Sequence, residues 1–141
     1  MALVTRSQVI KRPVNDVFAT VVDGGNFATW NPTVRSSRML SDGDIGDGTR
    51  FEWKLNGFGT VIQELREFQR DQQVRIVPLT RILGGGHRFK FTDRGDHTRI
   101  DHELEMIPKG FFKLTTPIII VVGRKNLRDT AHALQHHLEN S

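Results

Sequence analysis

Two histidines, His87 and His102, stand on otherwise apolar faces of runs that alternate as β-strands. An imidazole of near-neutral pKa inside an apolar cavity can take a proton from an activated methylene, the step an aldol cyclisation requires. The plainer reading is a pair of core histidines satisfied by backbone or water, since no carboxylate is visibly placed to orient either ring. Around them, Phe51, Trp53, Phe89 and Phe91 share the inward faces of strands, with Phe27 and Trp30 nearby. Such rings make core, or line a pocket for a ring-bearing or acyl ligand. Gln63 is an inward polar candidate on another strand. Arg124 projects onto the apolar face of a C-terminal helix, where it would hold a carboxylate or phosphate, or lay its stem on the core with its head in water. Asp129, His132 and His136 line one helical face at i, i+3 and i+7. That spacing suits a metal, but the face lies opposite the apolar stripe and includes Lys125, so it reads as solvated and no metal is assigned.

The elements that must carry these residues follow from periodicity. Val4–Lys11 reads as a strand. Pro13 suits a helix start, and Val14, Val17, Phe18 and Val21 recur at helical spacing to Val22. Asp23-Gly24-Gly25 breaks that helix, and Asn26–Trp30 forms a short helical piece ended by Asn31-Pro32. Strands follow at Val34–Leu40, Arg50–Leu55, Gly59–Phe68 and Val74–Leu79, with Ser41–Gly48 as a turn. Pro78 suggests that the last of these is an edge or carries a bulge. Gly84-Gly85-Gly86 opens the next strand and reads as a bulge or turn.

His87–Thr92 and Thr98–Met106 form a hairpin. A two-residue turn at Arg94-Gly95 puts His87 opposite His102. A four-residue turn puts His102 opposite Phe89 and His87 opposite Leu104. In either register the imidazoles are neighbours. Thr116–Leu138 is a long helix whose apolar stripe runs Ile120, Leu127, Ala131, Leu134 and Leu138. Ile118 and Val122 extend its outer face, and their exposure would mean a homodimer contact or a flexible lid. A meander of strands cannot cover its own apolar face, so one long helix must do so, which makes the chain α+β.

Composition narrows the chemistry. The chain has 141 residues, 37% of them apolar, with net charge +4, nine Phe, no Cys and no Tyr. That length is one ordinary domain, taken as residues 1–141. There is no thiol nucleophile, no thiolate metal site and no tyrosine acid or base. No phosphate-loop, nucleophile-elbow or zinc-protease motif occurs, and no cofactor is called for. Basic residues are scattered among acids, so no nucleic-acid partner is expected. The longest apolar run, Ile118–Val122, is too short to span a bilayer. Without an apolar leader segment, a cytoplasmic location is the expectation.

Within this order stand Ile10-Lys11-Arg12-Pro13-Val14-Asn15-Asp16-Val17-Phe18, Phe27-Ala28-Thr29-Trp30-Asn31-Pro32 and Gly46-Asp47-Gly48-Thr49-Arg50-Phe51. Gly95-Asp96-His97-Thr98-Arg99-Ile100 and a helix with Pro117, Arg124 and Leu134 follow. On these motifs the chain resembles the polyketide cyclase/dehydrase and lipid-transport superfamily, with the START domains and birch-pollen-allergen-like proteins. The resemblance implies a helix-grip fold, a curved antiparallel sheet of about seven strands around the long C-terminal helix, with a cavity between them. The implied function is binding or transport of a small hydrophobic or amphipathic ligand: a lipid, polyketide or aromatic. Ligand contacts are then expected from Phe27, Trp30, Phe51, Trp53, Gln63, His87, Phe89, Phe91, His102 and Arg124. The alternatives are a polyketide cyclase or aromatase using His87 or His102, and a co-chaperone-like interaction module. The fold does not choose among them.

Overall fold

The computed structural model describes residues 2–57, 59–81, 83–109 and 116–141. Strand β1 (Ala2–Ile10) leads into helix α1 (Val14–Val22) and a 3-10 helix, Gly24–Thr29. Six strands follow: β2 (Val34–Met39), β3 (Arg50–Leu55), β4 (Gly59–Gln69), β5 (Gln73–Leu79), β6 (Leu83–Asp93) and β7 (Thr98–Pro108). Helix α2 (Thr116–Glu139) ends the chain. All seven strands form one antiparallel sheet in the order β1-β7-β6-β5-β4-β3-β2. The expected α+β helix-grip architecture is what the chain adopts.

Alternation sets which side chains face inward. On β3, Phe51 and Trp53 are buried while Arg50 and Lys54 are exposed. The outer face is laced with ion pairs, among them Arg50–Glu64, Arg66–Glu64 and Arg88–Glu103. On α2 the buried residues are Gly123, Leu127, Thr130, Ala131, Leu134 and Leu138. An aromatic cluster joins α1 to β4 and β6: Phe18 packs edge-on against Phe68 and Phe91, with ring centroids 5.3 and 5.2 Å apart. Burying an aromatic or aliphatic side chain of this size stabilises by about 1.5–3 kcal/mol.

Two expectations are refined. The hairpin takes the four-residue loop, with Asp93 opposite Thr98, Phe89 opposite His102 and His87 opposite Leu104. Strand β5 is not an edge, because it lies between β4 and β6. Pro78 is tolerated there because the β5–β6 ladder stops at Ile76 opposite His87, leaving β5 unpaired on that side beyond it.

The triple glycine lies inside β6 and keeps pairing with β7 throughout. Gly85 has φ +98°, and a Cβ there would collide with the Glu105 carbonyl. Gly95, in the hairpin loop, has φ +81° with open space around it. A Gly95→Ala change is therefore expected to cost about 1 kcal/mol for the left-handed backbone alone. Gly85→Ala is expected to cost about 3 kcal/mol, since strain and a backbone collision add. Urea unfolding of the two variants measures the difference; equal costs would refute the close β6–β7 approach at Gly85.

Candidate functional site

A cavity of about 210 Å³ lies between the sheet and the N-terminal half of α2. Phe27 and Trp53 build one wall, with ring centroids 4.6 Å apart and planes 25° from parallel. Trp53 Nε1 donates to the Gly24 carbonyl at 2.8 Å, so its polar atom is committed and its ring offers apolar area. Gly24 has no side chain because the Phe51 ring passes over it, within 2.5 Å of where a Cβ would be. Val61, Ile76, Pro78, Leu104 and Met106 continue the lining from the central strands. Val122, Gly123, Asn126 and Thr130 close it from α2. Gly123 lets the helix descend onto Met106, whose thioether lies where a Cβ would stand.

Polar groups enter at few points. Asn31 Oδ1 accepts from Thr33 N and Oγ1 at 3.0 and 2.8 Å, and its Nδ2 donates to Thr130 Oγ1 at 3.3 Å. Gln63 borders the cavity although only 5% of its surface is exposed. Glu105 also borders it and is paired outward with Arg75 at 3.7 Å.

His87 contributes the imidazole on the wall. Its ring stacks on Phe89, centroids 3.9 Å apart, and Nε2 lies 2.9 Å from Nδ1 of His102. His102 is fully buried behind it, and its Nε2 lies 2.6 Å from Oε1 of Gln8 on β1. Gln8 in turn donates from Nε2 to the Ala131 carbonyl of α2 at 2.9 Å. A chain of polar contacts thus crosses β6, β7 and β1 to the helix.

Burial holds both imidazoles neutral. His102 is pushed down from the ordinary 6.5 to about 4, by burial first and by the Arg6 guanidinium next, against a smaller opposing pull from Asp101. His87 is held well below 6.5 by burial, and then by its neighbour His102. Arg6 sits opposite His102 on β1, bonds His132 Nε2 at 3.1 Å, and keeps its own Nε buried without a partner among the described residues.

Of the residues expected to contact ligand, the cavity brings together Phe27, Trp53, Gln63 and His87. Phe51, Phe89 and Phe91 are buried in the core behind the wall, and His102 supports His87 from the second layer. Trp30 packs on Phe27 at 4.6 Å and faces His137, away from the lining. Arg124 is a correction, for it is exposed and outside the cavity. At about 100° per residue it stands about 160° round the helix from Asn126, on the opposite shoulder of the buried stripe. Asp129 is held by Lys125 at 3.0 Å, and His136 bonds Asn140. Among the described residues no group of three His, Cys, Asp or Glu could hold a metal. Ile118 and Val122 are 67% and 60% exposed. The reading of the sequence missed Gln8, Asn126 and Thr130. Gln8 left a faint signal, as an inward polar residue between Val4 and Ile10.

The family model described as polyketide cyclase / dehydrase and lipid transport matches residues 1–139. No curated protein matches the sequence significantly. Among solved structures, a START superfamily protein from Mycobacterium smegmatis is 16% identical with TM-score 0.81, covering 98% of this chain and 97% of its own. The Zhui aromatase/cyclase from a Streptomyces species is 12% identical with TM-score 0.78, covering 99% and 94%. The Aha1 dimer from Colwellia psychrerythraea is 11% identical with TM-score 0.72, covering 99% and 97%. At these identities the likeness is one of fold. Among the described residues no helix is long and apolar enough to cross a membrane.

The depressed histidines make a pH prediction. Between pH 6.5 and about 4 the unfolded chain binds protons that the folded chain refuses, so stability falls as pH falls through that window. For His102 alone the loss is about 3 kcal/mol. Carboxylates held low by partners, such as Glu64 by Arg66 and Glu103 by Lys90, lose their contribution only below their ordinary 4.5. Urea midpoints from pH 7 to 4.5 should drop in the wild type and flatten in His102→Gln. An unchanged slope in that variant would refute the buried neutral pair.

Proposed function

The chain belongs to the polyketide cyclase / dehydrase and lipid transport family, and on that premise we propose that it binds or carries a small hydrophobic or amphipathic ligand in the cavity between sheet and α2. The observation that carries this reading is a mostly apolar cavity whose one imidazole among the described lining residues is held neutral, with its Nε2 engaged by His102. Its 210 Å³ exceeds the roughly 150 Å³ of an apolar protein cavity that accepts benzene. A one- or two-ring aromatic or a short polyketide fragment suits that space. Phe27 and Trp53 supply a stacking wall worth about 0.5–1.5 kcal/mol per ring pair beyond burial.

An aromatase- or cyclase-type enzyme is the second reading, favoured by the place of His87 on the cavity wall. A general base works best with a pKa near the operating pH. His87 is held well below that, and its Nε2 is already engaged by His102. These facts weigh toward carriage. Exposed Ile118 and Val122 support a homodimer contact at α2, which sedimentation of the wild type against Ile118→Ser would measure.

Native mass spectrometry of freshly purified protein should show a bound small molecule, or take one up from a mixture of one- and two-ring aromatics. Val61 lines the cavity, and Val61→Phe fills part of it. That variant should bind at least about tenfold more weakly while unfolding at a similar urea concentration. Undiminished binding would place the ligand elsewhere. Turnover of an aromatic polyketide lost on His87→Phe would move the reading to the enzyme.

A further inference from the structure

The contacts around the two histidines determine which ring nitrogens carry hydrogen. The Ala131 carbonyl can only accept, so Gln8 must turn its amide NH₂ toward it, at 2.9 Å. Gln8 Oε1 therefore faces His102 Nε2, 2.6 Å away, and a carbonyl oxygen can only accept. His102 Nε2 must carry the hydrogen. In a neutral ring Nδ1 is then a bare lone pair, and it lies 2.9 Å from His87 Nε2. That contact is a hydrogen bond only if His87 Nε2 donates. The hydrogen of neutral His87 is thereby committed, and its Nδ1 is left as an acceptor.

That Nδ1 has no protein partner among the described residues, yet it is not among the sealed, unsatisfied polar atoms, of which Arg6 Nε is the one found. It therefore touches accessible space, and His87 is a residue of the cavity wall. Charge narrows the ligand from the other side. Among the described residues on the wall, His87 and Glu105 are the ionisable ones. Among the described residues no cation lines the space: Arg124 is exposed on the far shoulder of α2, and Lys109, whose side chain passes over Gly84, is exposed as well. Among these residues an anionic head group finds no lining counter-charge and one carboxylate, which is costly in an apolar site.

We propose that the cavity selects a neutral ligand that donates a hydrogen bond, in its simplest form a hydroxylated aromatic, with His87 Nδ1 as the acceptor. The proposal rests on the reading of the cavity as a ligand site and adds the polarity of what enters it. Gln63 does not set that polarity, because a primary amide offers both donor and acceptor. His87 sets it, because its donor is spent inside the protein.

Three probes of one skeleton separate the outcomes: 2-naphthol, which donates; 2-methoxynaphthalene, which cannot; and 2-naphthoate, which is anionic. Titrations followed by naphthalene fluorescence at pH 7.5 should place 2-naphthol about five- to tenfold tighter than the ether, the range of one neutral hydrogen bond. The naphthoate should bind most weakly of the three. In His87→Phe the naphthol and the ether should bind alike. Equal binding of naphthol and ether to the wild type would overturn the proposal while leaving the cavity a ligand site. Binding by none of the three would overturn both. Should His87→Phe fail to fold, nitrogen-15 NMR of the wild type decides: a bare Nδ1 on His87 that shifts on adding naphthol supports the assignment, and a protonated Nδ1 refutes it.

Discussion

One helix has to cover seven strands. Strands lie about 4.8 Å apart, so the sheet is about 29 Å across, whereas a helix with its side chains is only about 10–12 Å wide. The sheet answers partly by curving and partly by borrowing cover. Helix α1 takes the ground beside β6 through Phe18, and the 3-10 helix lays Phe27 against Trp53 of β3. What remains uncovered between Trp53, the middle strands and the first turns of α2 is the cavity. It is a consequence of geometry before it is a site, and its walls are apolar because they are the inner face of the sheet.

Polar groups on that face must then be reconciled with burial. The sheet places His102 under α2, fully enclosed, where an unpaired imidazole would cost the desolvation of both ring nitrogens. The solution is a chain in which each partner has one admissible role: helix carbonyl, glutamine amide, one histidine, then the other. Direction is imposed from the helix end. The last member, His87, inherits a fixed tautomer and presents it to the cavity. Arg6 adds to the effect, since a guanidinium near His102 makes a second positive charge there unfavourable.

Much of this was legible in the sequence, and the failures have physical causes. Period-2 alternation placed Phe51, Trp53, Gln63, Phe89 and His102 on the inner face, because each strand has one wet side. The hairpin loop left two registers open, since Arg94-Gly95 suits a tight turn while Asp93 and His97 also fit a longer one. In the longer loop Gly95 N bonds the Asp93 carboxylate at 2.9 Å, a local contact that the loop's composition allowed but did not require. Gln8 left only a faint signal because its importance depends on β1 pairing with β7, the longest-range pairing in the sheet. Arg124 was misplaced because a helical projection shows one apolar stripe, whereas α2 uses two lines of contact. Leu127, Leu134 and Leu138 pack on the sheet, and Asn126 and Thr130 turn toward the cavity. A residue on the remaining shoulder faces water.

The same contacts bear on carriage and catalysis in opposite ways. A base must be free to gain a proton and needs a partner that stabilises the resulting cation. His87 hydrogen-bonds to an imidazole already protonated on its far nitrogen, and that imidazole hydrogen-bonds to an amide oxygen, which is a poor proton acceptor. The chain ends on a helix carbonyl, where a proton cannot be passed on. Protonating His87 would put a cation between the Phe89 ring and a neutral histidine, with Arg6 close behind that histidine. A binding site asks for the reverse: an acceptor whose orientation and tautomer do not change when the ligand arrives, so that little freedom is lost on binding. A carboxylate in place of Gln8 would relax the constraint toward chemistry, because it could stabilise a protonated His102. With glutamine there, the arrangement is suited to recognising a neutral donor and holding it.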